Sequence, residues 1–517
     1  MDRLMLDHML NPSSYPEPTT AVQHLQTHIS HLFLTDRYVY KVKKAVDFGF
    51  LDFTTLEKRH FFCHEELRLN RRLSPDIYLE VVALSRAADG QLSFRADGVP
   101  EEYAVKMRRM PEERMLSRLL EQGSVTEADI ADIAAKLAGF HAAAAQGNGI
   151  ALFGTVEAIR NNWLENLRQT VPYCGRTLSE RDHALIGEWA LQRLEQRGES
   201  FQQRLQHGFV RECHGDLHAE NICLDGQVHI FDCIEFNEKF RYGDTAADVA
   251  FLAMDLANHG RQDLALSFIS HYQAASGDTT LQQVLPLYLA NRAFIRGKVE
   301  SFRLDDPLIS SDEKLAAGAR AQRFFRLARG YVLREQFPRL LLLTCGLTGC
   351  GKSALADELA FQLGVRHLSS DLERKRLAGV APTERGSAIY SADWNRATYD
   401  RLFEAAREQL RSGAGVIVDA TFRVRADRER FVRLAAESGV VPVILQLQCP
   451  EAVVRQRLEQ RQARGDSASD GTWQVYQQQM GSFELPDGDE ALLVPLDATR
   501  QPEAMVDQLL EALHSQL

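Results

Sequence analysis

LLLLTCGLTGCGKS, residues 340–353, decides the fold of the second half of the chain. Leu340 to Leu343 form a short apolar run of the kind a buried strand makes. The residues after it, Gly346-Leu347-Thr348-Gly349-Cys350-Gly351-Lys352-Ser353, spell GxxxxGKS, and SALADELAFQL follows with helical spacing. Strand, glycine loop and helix in that order aim backbone N–H groups and a helix N-terminus at phosphates. Gly346, Gly349 and Gly351 let the loop turn, Lys352 would reach the β- and γ-phosphates, and the Ser353 hydroxyl would hold Mg²⁺. The bland alternative is a glycine turn before a helix that happens to begin Lys-Ser. From here to the end strands and helices alternate, with apolar strands near Val416–Val418 and Val441–Leu447, so the expected fold is α/β with a parallel sheet.

Downstream, Arg366-His367-Leu368-Ser369-Ser370 runs into Asp371-Leu372-Glu373-Arg374-Lys375. An Asp at the end of a second strand can accept the proton of an attacking hydroxyl, and Arg374, one helical turn on, can hold an anionic substrate or phosphate. A helix cap is the alternative for Asp371. Val416-Ile417-Val418-Asp419 is an apolar strand ending in a carboxylate placed for Mg²⁺ or substrate, with a structural cap as the alternative. Arg457, Arg461 and Arg464, at i, i+4 and i+7, share one face of a helix that also carries Arg455. They read either as a solvated basic face or as a lid bringing arginines onto a phosphoryl group.

The first half carries a second constellation, HGDLHAEN at 214–221, followed by Ile222-Cys223-Leu224, a turn at Asp225-Gly226, and Val228-His229-Ile230-Phe231-Asp232. Phosphoryl transfer from ATP needs a carboxylate to take the hydroxyl proton and further oxygen ligands for Mg²⁺. Asp216, Asn221 and Asp232 supply that set. Asp244 and Asp248 lie on a following, mainly apolar helix and read as anchors of the Asp216 loop.

The 338–517 half resembles the small P-loop kinases related to polynucleotide kinase, zeta toxin and gluconate kinase, through GLTGCGKS, SSDLERK, VIVDAT and the Arg-rich helix. The resemblance implies Asp371 as hydroxyl-activating base and Arg374 as substrate-phosphate contact. The HGDxxxxN pattern resembles the aminoglycoside phosphotransferase and choline kinase family, which shares the protein-kinase architecture. There Asp216 is the base, and Asn221 and Asp232 hold the metal. Lys41 looks like the strand lysine on the α/β-phosphates and Glu66 like its helix partner, with Lys43 and Glu65 as neighbouring alternatives. No glycine-rich GxGxxG loop precedes them. In order, KVKKAVDFGFLDF, ELRLNRRL, HGDLHAENICL, FDCIEFN and then a P-loop resemble a bacterial family described as bifunctional aminoglycoside phosphotransferase-like and ATP-binding protein.

At 517 residues the chain is long enough for about three compact bodies. The assignment is an α+β protein-kinase-like bilobal domain over 1–335, with an N-lobe to about 110 and a helical C-lobe over 111–335, then an α/β P-loop domain over 336–517. Lys+Arg 60 against Asp+Glu 71 gives a net charge of −11, which disfavours nucleic-acid and membrane-surface partners. The first residues lack a signal-peptide pattern, and a cytoplasmic location is expected. The eight cysteines contain no CxxC pair and suggest buried thiols, with neither a disulfide framework nor a zinc site. The leading expectation is an ATP- and Mg²⁺-dependent phosphotransferase acting on hydroxyl groups of small molecules at two sites. The alternatives are a regulatory protein in which one module senses nucleotide and gates the other, and a nucleic-acid 5′-end kinase.

Overall fold

Alternating side chains in residues 23–43 fold, in the computed structural model of the chain, into β1 (Gln23–Gln26), β2 (Ser30–Leu34) and β3 (Tyr38–Lys43). With β4 (Tyr78–Arg86), β5 (Leu92–Ser93) and β6 (Pro100–Arg108) they make an antiparallel sheet of order β1-β2-β3-β6-β4-β5. The polar Thr35-Asp36-Arg37 makes the turn between β2 and β3. β1 lacks the apolar alternation, because its Gln-His-Leu-Gln has one apolar residue and is largely exposed. Phe33, Tyr40, Val42, Leu84 and Ala104 build the core on one face. Cys63, Ile77, Tyr78 and Val105 build the core that seats the helix Leu56–Asn70. Each large apolar side chain buried this way contributes roughly 1.5–3 kcal/mol. The helix is capped by Thr55, whose hydroxyl accepts from the Lys58 N–H, and ends in a turn closed by Leu73 and Ser74 N–H bonds to the Asn70 carbonyl.

The rest of this unit is helical around a small β insert. Residues 180–206 form two helices, Glu180–Gln196 and Gly198–Gln206, broken at Arg197 whose φ of −111° leaves the helical range. Four short strands follow: β7 (Val210–Glu212), β8 (Ile222–Leu224), β9 (Val228–Ile230) and β10 (Tyr242–Asp244). They pair as β7 with β10 and β8 with β9, both antiparallel. Asp244 sits at the end of β10 and caps the helix Thr245–Asn258 rather than lying on it; Asp248 is inside that helix. The helix Leu281–Phe302 packs along Thr245–Asn258.

In the C-terminal unit β11 (Leu340–Cys345) is buried at every residue, as the centre of a sheet covered on both faces must be. With β12 (Arg366–Ser369), β13 (Val416–Asp419), β14 (Val441–Gln448) and β15 (Leu492–Asp497) it forms an all-parallel sheet of order β12-β13-β11-β14-β15. The chain passes from β13 across β11 to β14, so the C-terminal end of β11 lies at the point where the winding reverses, the usual place for a ligand crevice.

The structure describes residues 3–86, 90–94, 98–381, 384, 389, 391–464 and 470–516. The side chain of Arg464 and most of the polar segment 465–471 lie outside the described residues. The chain divides into two units, Met1–Ala328 and Arg329–Leu517, with the division inside the helix Ser311–Gln336. Among the described residues no helix is long and apolar enough to cross a membrane. Six cysteines are buried, Cys174 and Cys449 are partly exposed, and all eight are free thiols.

Candidate active sites

The period of two along β3 puts Lys41 and Lys43 on the same face, and the structure uses both. Lys41 Nζ lies 2.8 Å from Glu66 Oε1 and 2.5 Å from Asp232 Oδ1. Lys43 Nζ lies 2.7 Å from Glu66 Oε2 and also pairs with Glu235. Five charges thus run Asp232, Lys41, Glu66, Lys43, Glu235. Glu65, the alternative helix carboxylate, faces away and pairs with Arg68 and Arg241. Burial alone would push the Lys41 ammonium down, yet Asp232 and Glu66 hold it well above its ordinary value. Burial likewise works against an ionised Glu66, and Lys41 and Lys43 overcome it, holding the carboxyl at about 2. Glu235 goes the other way: burial raises it despite Lys43.

Asp216 stands on a loop pinned by backbone. The His214 and Gly215 N–H groups donate to the two oxygens of buried Asp248 at 2.7 and 2.9 Å. Asp244 anchors elsewhere, in a buried pair with Arg204 at 2.7 Å. Gly215 has φ +89°, and a Cβ there would meet the Phe240 carbonyl at 2.5 Å, so only glycine lets the loop pass. The Asp216 side chain is 35% exposed, and its Oδ2 lies 3.3 Å from His218 Nε2. Burial would raise the Asp216 carboxyl, but His218 above all, with Arg296 and His214, holds it below the usual carboxylate range. The Asn221 amide N donates to the Asp216 carbonyl at 2.9 Å, and the Asn221 carbonyl accepts from Phe231 N–H at 3.1 Å, which sets Asn221 beside the Asp232 segment. Asp232 is two residues past β9, in the left-handed region at φ +63°, with its side chain 46% exposed. A non-glycine residue there is a held strain of the kind found where a side chain must point at a ligand. The Asn221 side-chain carbonyl and the Asp232 carboxylate are hard oxygen donors, which fit Mg²⁺ and not a thiolate-seeking metal. His141, Cys213 and Asp248 also come together, all buried, but the Asp248 oxygens already serve two amides and His141 Nδ1 the Tyr272 hydroxyl at 2.7 Å, so the group is structural.

In the C-terminal unit the loop after β11 carries Gly346, then Gly349 and Gly351 at φ +82° and +92°. Gly351 precedes the helix Lys352–Leu363 directly, so the helix N–H groups face the loop. Lys352 Nζ bonds the Leu347 carbonyl at 2.8 Å. Ser353 Oγ donates to Asp419 Oδ2 at 2.6 Å, with Asp419 the last residue of β13 and buried. This oxygen pair also fits Mg²⁺. His367 on β12 bridges Asp357 Oδ1 at 2.9 Å and Asp419 Oδ2 at 3.4 Å. Burial alone would lower His367, but those two carboxylates raise it to about 9, so it is an imidazolium. Arg457 Nη1 lies 3.3 Å from the Cys350 carbonyl and Arg461 Nη2 2.6 Å from the Gly471 carbonyl; the exposed Arg455 pairs with Glu459.

Asp371 does not end the second strand. It falls in the first turn of the helix Ser370–Ala378, because Ser369 takes the capping position with its hydroxyl accepting from Leu372 N–H. Asp371 pairs with Arg374 at 3.0 Å, and Arg374 bonds Asn395 Oδ1 at 3.0 Å. Sequence reasoning missed His218, Arg296, Glu235, His367 and Gln479, whose side-chain oxygen accepts from the Thr348 N–H of the glycine loop. His218 was inside the quoted motif; for the others the sequence holds no spacing that ties them to the sites.

A protein-kinase-like bilobal unit with a lysine, glutamate and aspartate constellation, followed by a parallel-sheet P-loop unit, defines a phosphotransferase. Comparison with known proteins agrees: a "Phosphotransferase enzyme family" model matches residues 52–287 and an "AAA domain" model matches 341–486. Mycobacterium tuberculosis H37Rv "Uncharacterized protein Rv2004c" and Mycobacterium bovis "Uncharacterized protein Mb2027c" are each 33% identical over 456 residues, 87% of this chain and 88% of theirs. The chain belongs to their family of two-module, aminoglycoside phosphotransferase-like and P-loop kinase proteins. A choline/ethanolamine kinase family protein of Mesorhizobium loti matches at 12% identity, covering 64% of this chain and 99% of its own, with a TM-score of 0.38. A gluconokinase of Sinorhizobium meliloti 1021 matches at 22% identity, covering 35% and 93%, with a TM-score of 0.24.

Proposed function

We propose that each unit transfers the γ-phosphoryl group of ATP to a hydroxyl of a small molecule, with Mg²⁺ bound, in the cytoplasm and without nucleic-acid or membrane partners. The observation that carries the reading is Lys41 bridging Glu66 and Asp232 in one unit beside the pinned Asp216 loop. In the N-terminal unit Lys41 binds and orients the α/β-phosphates, while Asn221 and Asp232 hold the metal. Asp216 accepts the acceptor's proton as the hydroxyl oxygen bonds to the γ-phosphorus. The bond to the β,γ-bridging oxygen breaks, and ADP leaves with the electron pair. In the C-terminal unit Lys352 and the loop amides bind the phosphates, Ser353 and Asp419 hold the metal, Arg457 and Arg461 offset phosphoryl charge, and Asp371 with Arg374 receives the acceptor. Mg²⁺ held by these residues would supply charge neutralisation to the transferring phosphoryl group. The rest is positioning and electrostatics.

The test measures ATP binding and turnover in the full chain with Lys352→Ala, Asp216→Ala and both. Each single variant is expected to remove one component of turnover, and the double variant both. If neither single variant changes binding or turnover, the reading is wrong.

A further inference from the structure

Buried arginines in the N-terminal unit have carboxylate partners. Arg204 pairs with Asp244 and Asp278, Arg241 with Glu212, and Arg59 with Glu102. Arg296, partly buried, is left with a shielded donor instead. Among the described residues no carboxylate pairs with it, and its Nε is shielded from solvent with no hydrogen-bond acceptor. Leaving such a donor unsatisfied costs about 1–3 kcal/mol, a cost a fold does not carry without an offset.

Its position supplies the reason. The helix Leu281–Phe302 lies along Thr245–Asn258, whose Asp248 holds the His214 and Gly215 amides and whose Asp255 accepts from Ala219 N–H at 2.8 Å. Arg292, one turn before Arg296 on the same face, bonds the Ala247 carbonyl at 3.2 Å and stacks 5.0 Å from the Phe251 ring. Phe251 is in turn 5.7 Å from the His218 ring, and His218 is 3.3 Å from Asp216. Arg296 follows Arg292 by one turn, its guanidinium 5.5 Å from the Phe324 ring, and lies close enough to the Asp216 loop for its charge to lower both the Asp216 carboxyl and the His218 imidazole. The acids near His218 are committed or exposed: Asp255 serves the Ala219 amide, and Glu220, 3.9 Å from His218 Nδ1, is largely in solvent.

We propose that Arg296 anchors the acceptor of the N-terminal unit, and that this acceptor is an anionic alcohol whose carboxylate or phosphate is gripped by the guanidinium while its hydroxyl meets Asp216. A planar guanidinium matches a carboxylate or phosphate through two parallel N–H bonds, and an acceptor oxyanion would satisfy the shielded Nε. The inference rests on the reading of Asp216 as proton acceptor, and adds to it the charge class of the substrate. A polycationic amino sugar would bring its ammonium groups to an arginine that has no acid to offset it.

The experiment uses the full chain carrying Lys352→Ala, so that transfer from the P-loop unit is silenced. It is incubated with γ-labelled ATP and Mg²⁺ and three defined pools: sugar phosphates with hydroxy acids, neutral polyols and sugars, and amino alcohols with amino sugars. Label is expected in the first pool only, and to vanish with Asp216→Asn; separating sugar phosphates from hydroxy acids assigns the oxyanion. Adding Arg296→Ala is expected to raise the acceptor KM roughly tenfold or more while the KM for ATP stays within about twofold. Arg296→Lys, which retains the charge and most of the packing on Phe324, restores part of it. Label confined to the neutral or amino pools and lost with Asp216→Asn overturns the anionic acceptor and leaves the phosphotransferase standing. Label indifferent to Asp216→Asn, or no label in any pool, overturns both. An unchanged acceptor KM in both Arg296 variants overturns the anchor.

Discussion

Both units carry a carboxylate at or just past the end of a strand, and they hold it in opposite ways. Asp232 lies two residues beyond β9 on a left-handed backbone, half in solvent, and its partner is Lys41, 191 residues away on the sheet of the other lobe. Asp419 ends β13 in the strand itself, buried, held by Ser353 from the neighbouring loop-helix junction and His367 from the adjacent strand. The first arrangement exists only while two lobes are drawn together by ion pairs. The second is built into the register of a parallel sheet. The sites should therefore fail differently, one through loss of distant charges and the other only through loss of its own ligands.

The widest separation comes from the two lysines proposed to bind phosphate, Lys41 and Lys352. Lys41→Met and Lys352→Met are each expected to lower transfer from their own unit by about 10²–10³-fold, the loss typical of one preorganised charge contact. Only Lys41→Met should also disturb the carboxylate, since it frees Asp232 and leaves Glu66 to Lys43 alone. Steady-state kinetics and metal titration of both variants check this: equal changes in metal affinity would remove the contrast.

Lys43→Met probes the same difference through stability. It leaves Glu66 half-paired and Glu235 buried without a counter-charge, a change that costs roughly 3–5 kcal/mol. Calorimetry should show the N-terminal transition falling while the C-terminal one stays in place. The double variant Lys43→Met/Glu235→Gln should recover part of the loss, because the stranded charge is gone. A fall equal in both transitions would mean that the ion-pair chain is not confined to one unit's stability.

What the sequence disclosed follows the same division. In the C-terminal unit the signals are local: GxxxxGKS after an apolar run, and VIVD at 416–419, name the strands and the candidate ligands. In the N-terminal unit Asp216, Asn221 and Asp232 were legible because one short loop and hairpin carry them. Choosing between Lys41 and Lys43, or between Glu65 and Glu66, was not possible from spacing, since each pair shares a strand face or a neighbouring helix position. Which members touch Asp232 is decided by lobe packing. Arg296 and His367 were invisible for the same reason: nothing in LPLYLANRAFIRGK or RHLSS says which loop the folded chain lays against them. Asp371 was misplaced because Ser369 and Ser370 compete for the cap, and the hydroxyl at 369 wins.

Acid should divide the units next. Glu66 and Asp248 are both held at about 2 in the folded chain, against ordinary values of 4.5 and 3.8. Because folding depresses them, their contribution is fully present above the unfolded values and is lost as pH falls from about 4.5 through 2. The His367 imidazolium, raised to about 9, stays protonated throughout that window, so in the C-terminal site the acid loss falls on Asp419, which His367 and Lys352 hold below its ordinary value against burial. Thermal scans between pH 6 and 3 should lower the N-terminal transition more steeply, by on the order of a few kcal/mol. Parallel slopes would show that the pinned Asp216 loop is not the acid-sensitive element.

The smallest effect sharpens the claim that the C-terminal site depends on local contacts alone. Gln479, on the helix Trp473–Met480, accepts a 2.9 Å bond from the Thr348 N–H inside the glycine loop, next to the Leu347 carbonyl that holds Lys352. This side chain occupies a backbone amide of the glycine loop, so on the proposed reading a phosphate taking that amide has to displace it. Gln479→Ala removes the competitor at a cost of about 1 kcal/mol to the ligand-free unit. ATP affinity of the C-terminal site, measured by calorimetric titration in a Lys41→Met background, should rise by a factor of a few, with ADP less affected and the N-terminal site unchanged. A fall in ATP affinity would reverse the assignment: Gln479 would then be shaping the loop for phosphate, and the C-terminal site would depend on a group outside its own strands after all.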